Sequence, residues 1–194
     1  LRVMETKVII FDFDGTLCDT RSNIIIAFRA TMERLGLDMR DEETCGATIG
    51  LTLRDGFKSM YPDFDDAKID YCVETYREIF AERRKELMPD LFPGVKDILA
   101  ELHKRGYRMT IATSRLTDSL MLFMRHHGID HYFEYVVGSD SVTSHKPHPE
   151  PALKTLAEFK IEPSEAIMVG DMPVDIMMAH NAGIRAIGVS FGNA

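Results

Sequence analysis

Two acids separated by a single residue stand at the end of the first apolar run, in Val8-Ile9-Ile10-Phe11-Asp12-Phe13-Asp14-Gly15-Thr16-Leu17. Side chains alternate faces in an extended chain, so Asp12 and Asp14 lie opposite Phe11 and Phe13, and Gly15 then lets the backbone turn sharply. Two carboxylates are thereby gathered at the carboxyl end of a strand, where open α/β sheets bind their ligands. Asp and Gly are also ordinary turn residues, so an acidic turn is the lesser alternative for the pentapeptide alone. Three further segments carry reactive types. Ile111-Ala112-Thr113-Ser114 puts hydroxyls at the end of a later run, Ser144-His145-Lys146-Pro147 supplies an ammonium, and Val169-Gly170-Asp171-Met172-Pro173-Val174-Asp175 supplies two more acids.

Such a set suits one kind of chemistry. Converging carboxylates repel one another, and a hard divalent cation such as Mg²⁺ relieves that repulsion. A lysine and a group of hydroxyls suit a phosphate group. An aspartate can attack phosphorus to form an aspartyl-phosphate, while a second acid protonates the leaving oxygen and later activates water.

The elements that would hold these residues follow from periodicity. Short apolar runs at Val8–Phe11, Met109–Ala112, Tyr135–Val137, Ala166–Val169 and Ala186–Val189 read as buried strands. Helical patterns lie between them, such as Val95, Ile98, Leu99 and Leu102, closed by Arg105-Gly106. Alternating strand and helix predict an α/β, Rossmann-like three-layer core with a parallel sheet. From Leu17 to Leu91 no strand pattern occurs. Ile25, Phe28, Met32 and Leu35 share one helix face that Gly36 ends, and further helices are expected over Leu53–Met60 and Asp65–Leu87. This interval is longer than a crossover needs. It predicts a small all-helical cap, residues 17–88, inserted after the first strand of a core made of 1–16 and 89–194.

Composition narrows the class. With 194 residues, 45% hydrophobic and 28% charged, the chain can bury a real core. A formal net charge of -8 argues against sequence-independent nucleic-acid binding. No stretch reaches the roughly 18 to 20 apolar residues of a membrane helix, and Leu1 to Lys7 does not read as a secretory leader. Cys18, Cys45 and Cys72 are widely spaced and odd in number, which fits structural thiols in a reducing cytoplasm. Oligomeric state is not readable.

In order and spacing the four reactive segments resemble the haloacid dehalogenase superfamily, with its DxDG[TV], its Thr or Ser ending the second strand, its later Lys and its GDxxxD. Here these are Asp12-Phe13-Asp14-Gly15-Thr16, Thr113, Lys146 and Gly170-Asp171 to Asp175. The resemblance spans essentially the whole chain and implies roles. Asp12 is the nucleophile and a metal ligand; Asp14 is the general acid and base, with its backbone carbonyl on the metal. Thr113 donates to phosphoryl oxygens, Lys146 offsets negative charge, Asp171 completes the Mg²⁺ site, and Asp175 orients metal-bound water and Lys146. Gly15 and Ser114 are expected to contact substrate.

Asp14 points to phosphoryl transfer, because dehalogenase members lack that carboxylate. The helical insert is similar to the cap of phosphoglycolate phosphatase-like and β-phosphoglucomutase-like members, which closes over the site and contacts the substrate beyond its phosphate. Ile49-Gly50-Leu51-Thr52-Leu53-Arg54 and Thr113-Ser114-Arg115 resemble the I-G-L-P-L and T-N-K segments of the phosphatase branch. The reading is a Mg²⁺-dependent phosphatase for a small phosphorylated metabolite, with a sugar-phosphate mutase and a non-catalytic phospho-ligand-binding regulator as alternatives. Arg54 fits either a substrate contact or a solvated helix position. Two features depart from the family pattern. Met172-Pro173 replaces the usual polar pair after Gly-Asp, which leaves the bonding around Asp171 open. The chain also stops five residues after Val189, where relatives continue with another strand and helix, so a truncated C-terminus is expected. His145 and His148 lack a third partner at ligand spacing and read as loop-surface residues, and Met121, Met124, Met177 and Met178 as core or cap-facing filler.

Overall fold

The computed structural model describes residues 6–193, so the leader reading of Leu1 to Lys7 lies mostly outside the described residues. β1 (Val8–Phe11) is buried at every position because it is flanked on both sides. β2 (Arg108–Ala112), β3 (Phe133–Val137), β4 (Ala166–Gly170) and β5 (Arg185–Gly188) complete a parallel sheet in the order β3-β2-β1-β4-β5. Alternation in β1 divides the core in two. Ile9 and Phe11, continued by Phe13, pack with Val95 and Leu99 of α5 (Val95–Lys104) and with Leu120, Phe123 and Met124 of α6 (Thr117–His127). Val8 and Ile10 pack with Ala152 and Leu156 of α7 (Glu150–Phe159) and with Met178 and Ala179 of α8 (Pro173–Asn181). Helices therefore cover both faces of a parallel sheet, the three-layer α/β arrangement expected from the alternating pattern.

Between β1 and α5 the chain forms a helical cap with its own core. It comprises α1 (Arg21–Leu35), the short α2 (Glu42–Gly46), α3 (Leu53–Met60) and α4 (Asp66–Glu82). Gly36 closes α1 in the left-handed region at φ 61°, and Asp41, Thr52 and Asp65 cap the next three helices with side-chain oxygens on backbone N–H groups. Ile25, Phe28, Met32, Phe57, Ile69 and Cys72 bury together. An aromatic series joins this cluster to the sheet. Phe28 meets Tyr76 at 5.0 Å between ring centroids, Tyr76 meets Phe80 at 6.1 Å, Phe80 meets Phe123 at 5.8 Å, and Phe123 stacks on Phe13 at 6.1 Å.

Several elements differ from the periodic reading. β3 starts at Phe133 rather than Tyr135, because an edge strand tolerates polar residues: Glu134 accepts from Arg108 across the pair at 2.9 and 2.7 Å. α4 ends at Glu82 instead of Leu87; the Arg83 carbonyl accepts from both Glu86 and Leu87 N–H, turning the chain so that Leu87 is buried. Met177 is half exposed on the outer face of α8, whereas Met124 and Met178 are core residues. The three cysteines are unpaired and buried, and burial together with the charge of Asp14 pushes the Cys18 thiol up to about 12.

Ile10 is sealed in the central strand, while Ile98 is 49% exposed on α5. Ile10→Ala should destabilise the protein by about 2–5 kcal/mol through transfer and cavity terms, and Ile98→Ala by less than about 1 kcal/mol; urea unfolding followed by circular dichroism measures both.

Candidate active site

β1 is the point where the order of the sheet reverses, with β2 on one side and β4 on the other. At such a switch point the loops leaving neighbouring strands diverge and open a crevice above their carboxyl ends. The register sets what faces it. Phe11 pairs with Ile111 and with Val169, so Asp12, Thr113 and Asp171 all follow adjacent strand ends. The Asp12 N–H extends the ladder to the Val169 carbonyl at 2.8 Å, and the Thr113 N–H to that of Val137 at 2.9 Å.

Asp12, Lys146, Asp171 and Asp175 are each less than a tenth exposed. Lys146 Nζ donates to Asp12 Oδ1 at 2.7 Å and to Asp175 Oδ1 at 2.6 Å. Carboxylate oxygens of Asp12, Asp171 and Asp175 lie within 4.8 Å of one another. Burial, and then the charge of Asp175, push the Asp12 carboxyl well above the usual carboxylate range against the pull of Lys146. Asp171 is raised by burial and by Asp175, partly offset by its bond from the Asn193 N–H. Burial alone would lower Lys146, but Asp12 and Asp175 outweigh it and hold the ammonium charged. Three carboxylates against one ammonium leave two negative charges, which is the charge a divalent cation brings, and the donors are the hard oxygens that Mg²⁺ prefers. The residues fit such an ion.

The remaining bonds resolve how the acids are held. Asp171 Oδ1 accepts from Thr16 Oγ1 at 3.1 Å and Oδ2 from the Asn193 N–H at 2.6 Å. Asp175 Oδ2 accepts from the Met172 N–H at 3.0 Å, so position 172 contributes its backbone and needs no polar side chain. The Met172 side chain faces the cap instead: a Cβ on Gly50 would meet its Cγ at 3.2 Å.

The sequence model of haloacid dehalogenase-like hydrolases matches residues 9–189. The chain belongs to this family. A protein of Dickeya dadantii named "Probable phosphatase IndB" is 37% identical over 187 residues, covering 95% of this chain and 81% of that one. Pyrophosphatase PpaX of Bacillus pumilus is 33% identical over 185 residues, covering 95% and 83%. The solved structure of a Bacteroides fragilis haloacid dehalogenase-like hydrolase superposes with a TM-score of 0.91 at 31% identity, covering 97% of this chain and 89% of that one. CbbY of Rhodobacter sphaeroides, solved in complex with phosphate, superposes at 0.81 with 25% identity over 94% and 85%.

Other expected residues of the hydrolase occupy more varied places. Asp14 is not part of the three-carboxylate cluster and pairs with Arg115, whose Nε and Nη2 donate to it at 2.7 to 2.9 Å. Ser114 Oγ donates to the Gly50 carbonyl at 2.6 Å and so ties the core to the cap. Arg54 lines the cleft but is engaged with Asp66 at 2.8 Å and with Asp70. A cleft of about 560 Å³ runs from Asp12 and Asp14 into the cap, walled by Phe28, Leu51, Val73, Phe80 and Leu122. His145 is half-buried and lines it, rather than lying on the loop surface. Arg115 was not among the residues expected to act. Its one mark in the sequence is its place in Thr113-Ser114-Arg115, just past β2, where the register sets Ser114 level with Asp14 and Arg115 one residue further on.

Gly15 adopts φ +80°, and a Cβ there would collide with the Asp171 carboxylate and the Asn193 side chain. Gly15→Ala should therefore lower stability by about 1–3 kcal/mol, measured as a shift of the urea midpoint, whereas Gly36→Ala, with nothing within 4 Å of its added Cβ, meets only the backbone term.

Proposed function

We propose that this chain is a Mg²⁺-dependent phosphatase that hydrolyses a small phosphorylated metabolite through a phospho-Asp12 intermediate. The observation that carries the reading is the Lys146 bridge between Asp12 and Asp175, beside Asp171, at the switch point of the sheet. Asp12 Oδ attacks phosphorus, the bond to the leaving oxygen breaks, and that oxygen takes a proton from Asp14. Asp14 then draws a proton from the water that attacks the phospho-Asp12 phosphorus, releasing inorganic phosphate and restoring Asp12. Thr113, just past β2, donates to phosphoryl oxygens, and Lys146 favours the charged form of Asp12 and holds it in place. Asp12, Asp171 and the Asp14 carbonyl would hold Mg²⁺, with Asp175 fixing Lys146 and its surroundings. The ion offsets charge on the phosphoryl oxygens when bound.

The names of the relatives favour hydrolysis over isomerisation. The cap, 17–88, selects the substrate, and the cleft wall of Phe28, Leu51, Val73, Phe80 and Leu122 gives the body of an organic ester something to pack against that pyrophosphate lacks. Buried free thiols suit a reducing compartment such as the cytoplasm.

Turnover of p-nitrophenyl phosphate should require added Mg²⁺, stop on chelation, and vanish in Asp12→Asn; turnover that survives that substitution would sink the mechanism. A phosphate-release screen over organic phosphate esters and pyrophosphate identifies the substrate. Mg²⁺ at about 100 times its Kd should add about 2.7 kcal/mol to unfolding, and Asp171→Asn should remove that gain in a calorimetric melt.

A further inference from the structure

Arg115 is engaged on every side. Nε donates to Asp14 Oδ1 at 2.9 Å and Oδ2 at 2.8 Å, Nη2 donates to Oδ1 at 2.7 Å, and Nη1 reaches Ser119 Oγ at 3.3 Å. The guanidinium carbon lies 4.6 Å from the ring centroid of Phe123, which itself stacks on Phe13, the residue separating the two acids. Its backbone is held as well: the Arg115 N–H donates to Thr113 Oγ1 at 3.2 Å, and its carbonyl accepts from the Ser139 N–H at 2.7 Å. Among the described residues no other group donates to the Asp14 carboxylate.

A planar fork fixed in this way dictates where its carboxylate sits, in a manner that a single ammonium cannot. It also divides the carboxylate. A carboxylate offers about four lone-pair positions, and the guanidinium takes two on Oδ1 and one on Oδ2, leaving Oδ2 with the open position. We propose that Arg115 is a positioning residue that holds Asp14 at the base of the cleft with Oδ2 as the oxygen through which the proton passes to and from the leaving group. This rests on the reading of Asp14 as acid and base given above. Arg115 touches neither phosphorus nor the leaving oxygen in this scheme and acts through Asp14.

A positioning role of this kind depends on the leaving group. An ester such as 2,4-dinitrophenyl phosphate departs without a proton, whereas an alkyl phosphate needs one. Steady-state kcat on both esters, with Mg²⁺ present, should fall unevenly in Arg115→Leu, by at least about tenfold more on the alkyl phosphate. Arg115→Lys, which keeps the charge and loses the fork, should recover part of that difference. Asp14→Asn should show the same selectivity, and adding Arg115→Leu to it should cost nothing further on the alkyl ester. If Arg115→Leu fails to fold because Asp14 is left buried without its partner, Arg115→Lys carries the comparison. Selective loss in Asp14→Asn with an even loss in the Arg115 variants overturns this proposal alone. An even loss in Asp14→Asn overturns the reading of Asp14 and the proposal with it.

Discussion

The ammonium of Lys146, shared between Asp12 and Asp175, is what allows this site to be assembled at all. The sheet order places the ends of β1 and β4 side by side, and each end delivers a carboxylate into a space with little water. Unopposed, such charges cost several kcal/mol apiece to bury. Lys146 spans the loop before α7, the end of β1 and the first turn of α8, so a single side chain supplies the opposing charge and ties three segments together. The close approach continues in the backbone: a Cβ on Gly170 would come within 2.5 to 2.6 Å of Asp175, so the acid after β4 folds directly back over the strand that delivers it.

A second pair, Asp14 with Arg115, stands beside this cluster and is neutral by itself. The charged groups thereby fall into two sets a few residues apart. One holds Asp12, Asp171, Asp175 and Lys146; the other holds Asp14 and Arg115. Alternation along one extended segment sets Asp12 and Asp14 on the same side, while Phe13 drops into the core between them and stacks on Phe123, which also backs Arg115; Lys146 engages the first acid and Arg115 the second. The same aromatic series runs on through Phe80 and Tyr76 into the cap, and the Ser114 to Gly50 bond crosses the cleft at its edge. The cap thus rests on the elements that place these side chains.

Much of this was legible in the residues. Apolar runs located β1 and the ends of β2 and β4 because those strands are covered on both faces, and Gly36 and Gly106 marked helix ends because both take the left-handed conformation there. Legibility failed where polarity and geometry part company. Edge strand β3 hides its first residues behind Glu134, and the end of α4 depends on a turn that buries Leu87. Within the site, residue type, spacing and family resemblance named Asp12, Lys146, Asp171 and Asp175, while Arg115 entered only as part of Thr113-Ser114-Arg115, with no role of its own. Only the fold shows that its guanidinium closes on the Asp14 carboxylate. The bonds of Met172 were hidden for a different reason: its backbone serves Asp175, and backbone donors leave no mark on the sequence.

The alternation that separates Asp12 from Phe13 also sets what kind of change the segment can absorb. A replaced side chain alters one contact, and its neighbours keep their surroundings. One residue inserted or removed ahead of Asp12 exchanges the faces of everything that follows. Phe13 would then be presented to the ion cluster, and both carboxylates to the hydrocarbon beneath Phe123. From Val8 to Gly15 the chain is governed by its length before its composition.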